Sequence, residues 1–187
     1  MSTLKVAELK KSLKQLEHKE LVQLISDLYK MNSDVKDYLS IQFGGGEIVQ
    51  ELYKKAKMKI QDEFFPQRGM PKLRLTEAKK AITDFKKMAG DSDQVIDLML
   101  FYVEMGTEYT NAYGGIDDRF YTSMLSMYDK VAVACDKDEQ LYLKLKDRLY
   151  SCVSMADGIG WGFHDTLCEI YYSIGWETDE EEEEEEV

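Results

Sequence analysis

Only two prolines occur in this chain, Pro66 and Pro71, and both lie in one short loop. Proline removes a backbone donor and costs about 3 kcal/mol inside a helix, so nearly every other segment is left free to be helical. Hydrophobic periodicity uses that freedom. Apolar residues at 6, 9, 13 and 16 predict a first helix from 4 or 6 to 16. Leu21, Leu24, Ile25 and Leu28 predict a second from about 19. A short third helix starts at an Asn32/Ser33 cap and runs to Phe43, where Gly44, Gly45 and Gly46 end it. Ile48, Val49, Leu52, Ala56, Ile60 and Phe64 form one stripe of a fourth helix over 47–65.

Beyond the proline loop the pattern predicts two helix pairs, 75–89 with 92–113 and 117–136 with 138–157, and a last helix over 162–176. Connections of two to five residues make neighbours antiparallel. The pairs start 42 residues apart, within the ~40–47 spacing of HEAT-type repeats, although their side chains do not match. The expected fold is all-α: eight or nine helices, as antiparallel hairpins stacked HEAT/TPR-like around a buried central helix. It divides into an N-terminal hairpin subdomain over 1–43 and a main helical domain over 47–176. The remaining 177–187 holds nine acids in eleven residues, with no apolar run to fold it, and is expected to be a disordered acidic tail.

The segment 92–113 is apolar on most sides, as a central helix should be. Val95, Leu98, Met99, Tyr102 and Tyr109 lie on one face and Ile96, Leu100 and Val103 on another. The stripe left over is acidic: Asp93, Asp97, Glu104 and Glu108. The preceding helix offers Lys79, Lys80, Lys86 and Lys87, and the two stripes are expected to pair at ~0–1 kcal/mol per exposed bridge.

Charge also divides the chain. Residues 1–89 carry 18 Lys+Arg against 12 Asp+Glu, and residues 90–187 carry 6 against 24. That asymmetry implies an internal charge seam, a charged partner or both, and no reaction by itself. The three cysteines, Cys135, Cys152 and Cys168, show no CxxC or Cys/His metal spacing and read as reduced core thiols. The first residues are charged where a signal peptide needs an apolar run. The longest apolar stretch, 95–103, contains Asp97 and falls far short of the ~20 residues of a membrane span. A cytoplasmic location away from membranes is expected.

Four groups of residues carry candidate chemistry. In the loop at 63–74, Pro66 and Pro71 fix φ around Gly69 and would preset Arg68, Lys72 and Arg74 near Lys79, a site for phosphate or carboxylate. The competing account is a structural loop whose cations pair with the acidic half, and it is favoured. In 158–172, Gly158, Gly160 and Gly162 alternate around Trp161, and His164 and Asp165 enter the first turn of a helix. A neutral imidazole beside carboxylates is the chemistry of a base or metal ligand. With His18 the only other histidine and no HExxH, a tight aromatic cap around a satisfied histidine is favoured. Asp97, Glu104 and Glu108, with Tyr102 and Tyr109, have the composition of a hydrolytic or hard-cation site. Salt bridges between helices are the simpler account. Nine of the twelve tyrosines fall between Tyr102 and Tyr172. Core-edge positions with hydroxyls toward solvent are favoured for them over a tyrosine-lined peptide groove.

Three stretches are specific in combination: FFPQRGMPKLRLTEAKKAITDFKK, YVEMGTEYTNAYG and GIGWGFHDTL. Together they resemble, over about 3–172, a family of bacterial cytosolic helical proteins classified as a domain of unknown function. The resemblance implies a compact helical domain and supplies no reaction, ligand or site. Separately, LKVAELKKSLKQLEHKELVQLISDLY is similar to the helix–linker–helix SAP motif of DNA-binding proteins. Its linker is too short and residues 1–30 net only +2, so it reads as a coincidence of amphipathic helices.

The expected function is a non-catalytic protein-interaction module with a basic face and an acidic, tyrosine-rich face, another protein as partner, and no cofactor or metal. Arg68, Lys72, Arg74 and Lys79 would take an acidic partner, and the tail would compete for the same patch in cis. Glu104, Glu108, Tyr109, Trp161, His164 and Asp165 complete the candidate binding residues. Nucleic-acid binding through the basic half is the second reading, opposed by a pI of about 4.7. A metal- or acid–base-dependent enzyme centred on His164 is the third.

Overall fold

The computed structural model describes residues 4–177, and among them all regular structure is helical. The helices are α1 (Val6–Leu13), α2 (His18–Met31), α3 (Ser33–Gly44), α4 (Gly46–Phe64), α5 (Leu75–Ala89), α6 (Asp93–Tyr113), α7 (Asp118–Asp136), α8 (Glu139–Met155) and α9 (Phe163–Tyr171). A 3-10 turn, Gly175–Glu177, follows. The all-α fold expected from the periodicity is thus present. The expected acidic tail lies outside the described residues from 178 onward.

Local chemistry sets most of the boundaries. The Asn32 side chain accepts from the Asp34 and Val35 amides at 2.8 and 3.2 Å, capping α3 where the sequence places its start. Asp117 and Asp138 do the same for α7 and α8 through the Phe120 and Leu141 amides. The last helix is shorter than expected, ending at Tyr171 instead of 176. Beyond it the Gly175 amide donates to Asp136 Oδ1 at 2.9 Å and Trp176 Nε1 to the Cys135 carbonyl at 3.1 Å. Those bonds divert the chain onto the end of α7.

The chain divides into two compact units, Met1–Gln50 and Glu51–Val187, the division falling inside α4. In the first unit α2 packs against α3, and none of α1, α2 or α3 contributes a buried residue. In the second, α6 packs against α5, α7 and α8, and α9 closes over α7 and α8. Ten residues of α6 are buried, as its all-round apolar pattern requires. Gly106 lets α7 approach, since a Cβ there would run into the Met124 side chain, its Cε included at 2.9 Å. No helix of the described residues is long and apolar enough to cross a membrane.

Two expectations about side chains are corrected. Tyr102, Tyr121, Tyr128 and Tyr142 are buried more deeply than the expected core-edge positions, with no more than 2% exposure, whereas Tyr109 is half-buried and Tyr113, Tyr150 and Tyr172 are exposed at the edge as expected. Burial of Tyr102, Tyr121 and Tyr128 is tolerated because their hydroxyls are satisfied inside. Tyr128 donates to the Leu149 carbonyl at 3.0 Å, Tyr121 accepts from the Ile116 amide at 3.2 Å, and Tyr102 shares a hydrogen bond with Ser123 at 2.8 Å. The second correction concerns the acidic stripe of α6, which pairs with α8 and not with the lysines of α5. Asp93 meets Lys144 at 2.8 Å, and Arg148 holds Asp97 and Glu104 together. Two of the α5 lysines serve nearer partners, Lys86 with Asp91 and Lys87 with Asp84. A planar guanidinium can satisfy two carboxylates at once, which an ammonium on α5 cannot do as well.

Candidate functional site

The proline loop is built on one buried carboxylate. Glu63, at the end of α4, is 6% exposed. Arg74 grips it with a fork, Nε to Oε2 at 3.1 Å and Nη2 to Oε1 at 2.6 Å, and its own amide donates to Oε2 at 3.1 Å. The Leu73 amide donates to the Glu63 carbonyl at 3.0 Å. Hydrogen bonds from Arg74 hold the Glu63 carboxyl below its ordinary range, against the opposing effect of burial. The loop reaches α5 through Leu73 at φ 51°, left-handed backbone that a branched side chain rarely adopts, and through Gly69 at φ 84°.

Arg74 therefore closes the loop and is not a free anion ligand as the spacing implied. Lys79 also leaves the expected patch: half-buried on α5, it donates to Ser123 of α7 at 3.0 Å. Arg68 and Lys72 do meet, with Met58, Pro66 and Met70, around a cleft of about 440 Å³ whose wall includes Asp62 and the Glu63–Arg74 clamp. Arg68, Met70 and Lys72 are exposed.

The α6 acids form a structural cluster. Arg148 donates to both oxygens of Glu104 at 2.7 and 2.8 Å and also to Asp97, which accepts in turn from the Tyr53 hydroxyl. Burial, then the Asp97 hydrogen bond, pushes the Tyr53 phenol well above its ordinary range. The Glu104 bonds raise the Arg148 guanidinium further, so it stays charged. Carboxylates committed to a permanent cation do not make an acid–base pair. Glu108 is exposed, and its carboxyl is raised by partial burial and by Glu104. Tyr109 is half-buried in an aromatic stack, 4.7 Å from Tyr113 and 5.9 Å from Phe65 between ring centroids. Sequence reasoning missed Tyr53, Glu63 and Arg148. A signal for Arg148 existed: Lys144 and Arg148 repeat at the same four-residue step as Asp93 and Asp97.

His164 keeps its contacts on its own helix. Its Nε2 lies 3.6 Å from Cys168 Sγ and its Nδ1 3.5 Å from Asp165 Oδ1. Trp161, before that helix, is 63% exposed and holds φ 66°. Among the described residues no hydrogen bond or ion pair joins His164 to Glu104 or Glu108. Among the described residues no group of three or more His, Cys, Asp or Glu side chains is placed to hold a metal ion. All three cysteines are free; burial pushes Cys135 up to about 11 and raises Cys152 as well.

Neither a curated protein nor a solved structure matches this chain. A family model does, over residues 4–171, the extent on which the sequence resemblance rests. The chain belongs to that family, the family of unknown function DUF6155.

Proposed function

We propose that the chain is a non-catalytic protein-interaction module that docks an acidic segment of a partner protein on the loop 66–74. The observation that carries this reading is the division of labour around Glu63. Arg74 closes the loop on that carboxylate, and the rigid frame presents Arg68, Lys72 and Met70 outward. Two cations beside adaptable methionine side chains suit a carboxylate-bearing peptide with one apolar anchor. The commitment of Asp97 and Glu104 to Arg148, and of His164 to its own helix, supports binding over catalysis. A bacterial cytoplasm is the proposed setting, supported by the free thiols and the family resemblance. The acidic residues 177–187 would compete in cis for the loop.

Capture from native bacterial lysate by the full chain tests this, comparing wild type with Arg68→Glu/Lys72→Glu. A nuclease-resistant protein lost from the variant, and released by salt, is the expected result. Deleting 177–187 should increase its capture. Identical capture by both chains would remove the loop from consideration, and capture abolished by nuclease would replace the protein partner with nucleic acid.

A further inference from the structure

The apolar wall of the cleft beside the proline loop is made of thioethers. Its apolar lining residues are Met58, Met70 and Pro66, with no leucine, valine or aromatic ring among them. Both methionines are open to solvent, Met58 at 55% and Met70 at 82%. Met58 comes from α4 and Met70 from the loop, yet they line one cleft. The fold holds them out. The Glu63–Arg74 clamp and the Leu73 amide bond to Glu63 tie the loop down, and Pro66 and Pro71 restrict its backbone, so Met70 is kept away from the core. Elsewhere in the second unit the methionines are protected: Met88, Met99 and Met155 are half-buried, and Met105, Met124 and Met127 are buried.

We propose that Met58 and Met70 form a redox switch on this cleft: a hydroperoxide oxidises them to sulfoxides, and the acidic segment is released. The inference rests on the docking reading above and adds its regulation. The thioether sulfur attacks one peroxide oxygen, the O–O bond breaks, and the other oxygen leaves with the proton as water or an alcohol. Sulfur loses two electrons and the peroxide gains them. Leucine would fill much the same space and be inert to that step, so the residue type decides the sensitivity. A sulfoxide is polar, and with it the cleft loses its apolar anchor. Its oxygen is also a hydrogen-bond acceptor, and Arg68 and Lys72 flank Met70 two residues away on either side. In the oxidised loop those donors meet an acceptor in cis that competes with the partner's carboxylates. Sulfoxide reductases regenerate the thioether, which makes the switch reversible.

Fluorescence anisotropy of a labelled synthetic peptide, one leucine between runs of glutamate, tests this against the full chain before and after hydrogen peroxide. Peptide mapping by mass spectrometry locates the sulfoxides, and circular dichroism checks that helicity is kept. Met58 and Met70 should be oxidised well before Met105, Met124 and Met127, and affinity should fall by about tenfold. Methionine sulfoxide reductases should restore it, and dithiothreitol alone should not. Met58→Leu/Met70→Leu should bind the peptide as wild type does and keep that affinity after peroxide, although Met31, 83% exposed and outside the cleft, is still oxidised. Met58→Gln/Met70→Gln, polar without any oxidant, should bind about tenfold more weakly. Unchanged affinity of the oxidised chain would overturn the inference and leave the docking reading standing. So would peroxide sensitivity that persists in the leucine variant, or recovery with dithiothreitol alone, which would assign the effect to a cysteine. A peptide that fails to bind the untreated chain would overturn the docking reading, and the switch with it.

Discussion

Glu63 and Glu108 show how the same side chain is driven in opposite directions by its neighbours. Glu63 is gripped by Arg74, which lowers its carboxyl. Its contribution to stability is present above the ordinary glutamate range and is lost as pH falls through the lowered folded value. Glu63→Gln should therefore lower Tm at pH 7, and the gap to wild type should close only well into the acid range. Glu108 is raised, first by burial and then by Glu104. Its charged form is penalised in the folded state, fully above the raised value and not at all below the ordinary one. Glu108→Gln is expected to raise Tm at pH 7 and to change nothing at about pH 3. A thermal melt series across pH measures both. At this scale the sequence named Glu108, Arg74 and Lys79 but not their partners. Nothing in the spacing of the chain marks the Glu63 carboxylate as the partner of Arg74 or Ser123 as the partner of Lys79.

At the scale of elements, the helix starts and most ends were legible because their causes are local: side-chain caps, glycines with positive φ and the 3.6-residue period, although α1 stops at Leu13 and not at 16. The end of α9 was not, because its cause is Asp136 on another helix. The facing of α6 was not either. Its acidic stripe finds α8 through Arg148, and that cluster ties α4, α6 and α8 through Tyr53, Asp97 and Glu104. Arg148→Met leaves two carboxylates facing each other in a half-buried seam. A loss of about 2–3 kcal/mol is expected from urea denaturation, since removing one member of such a cluster strands the others. Adding Asp97→Asn and Glu104→Gln to that variant should restore most of it. An unchanged single variant would mean that the cluster is a surface network worth little.

At the scale of the molecule, the two units differ in how much each buries. The second holds the aromatic core, where Phe64 sits edge-on to Tyr102, Tyr109 and Phe120, and Tyr121 meets Phe163 at 5.0 Å. The first has amphipathic helices and no buried residue in α1, α2 or α3. Native-state hydrogen exchange should read the difference. Amides of α1, α2 and α3 are expected to open at no more than about 2 kcal/mol, while those of α6 exchange near the global stability. Comparable protection in both would show that the first unit is stabilised as strongly as the second. The sequence by itself determined that this chain is helical, where nearly every helix begins, and that α6 is central. Each of these follows from residues within a few positions of one another. Only the tertiary structure decided which four tyrosines are fully buried, that Glu63 takes Arg74 out of the basic patch, and that the acidic stripe of α6 faces Arg148 of α8. Those outcomes depend on which faces meet between segments from 11 to 51 residues apart, where periodicity carries no information.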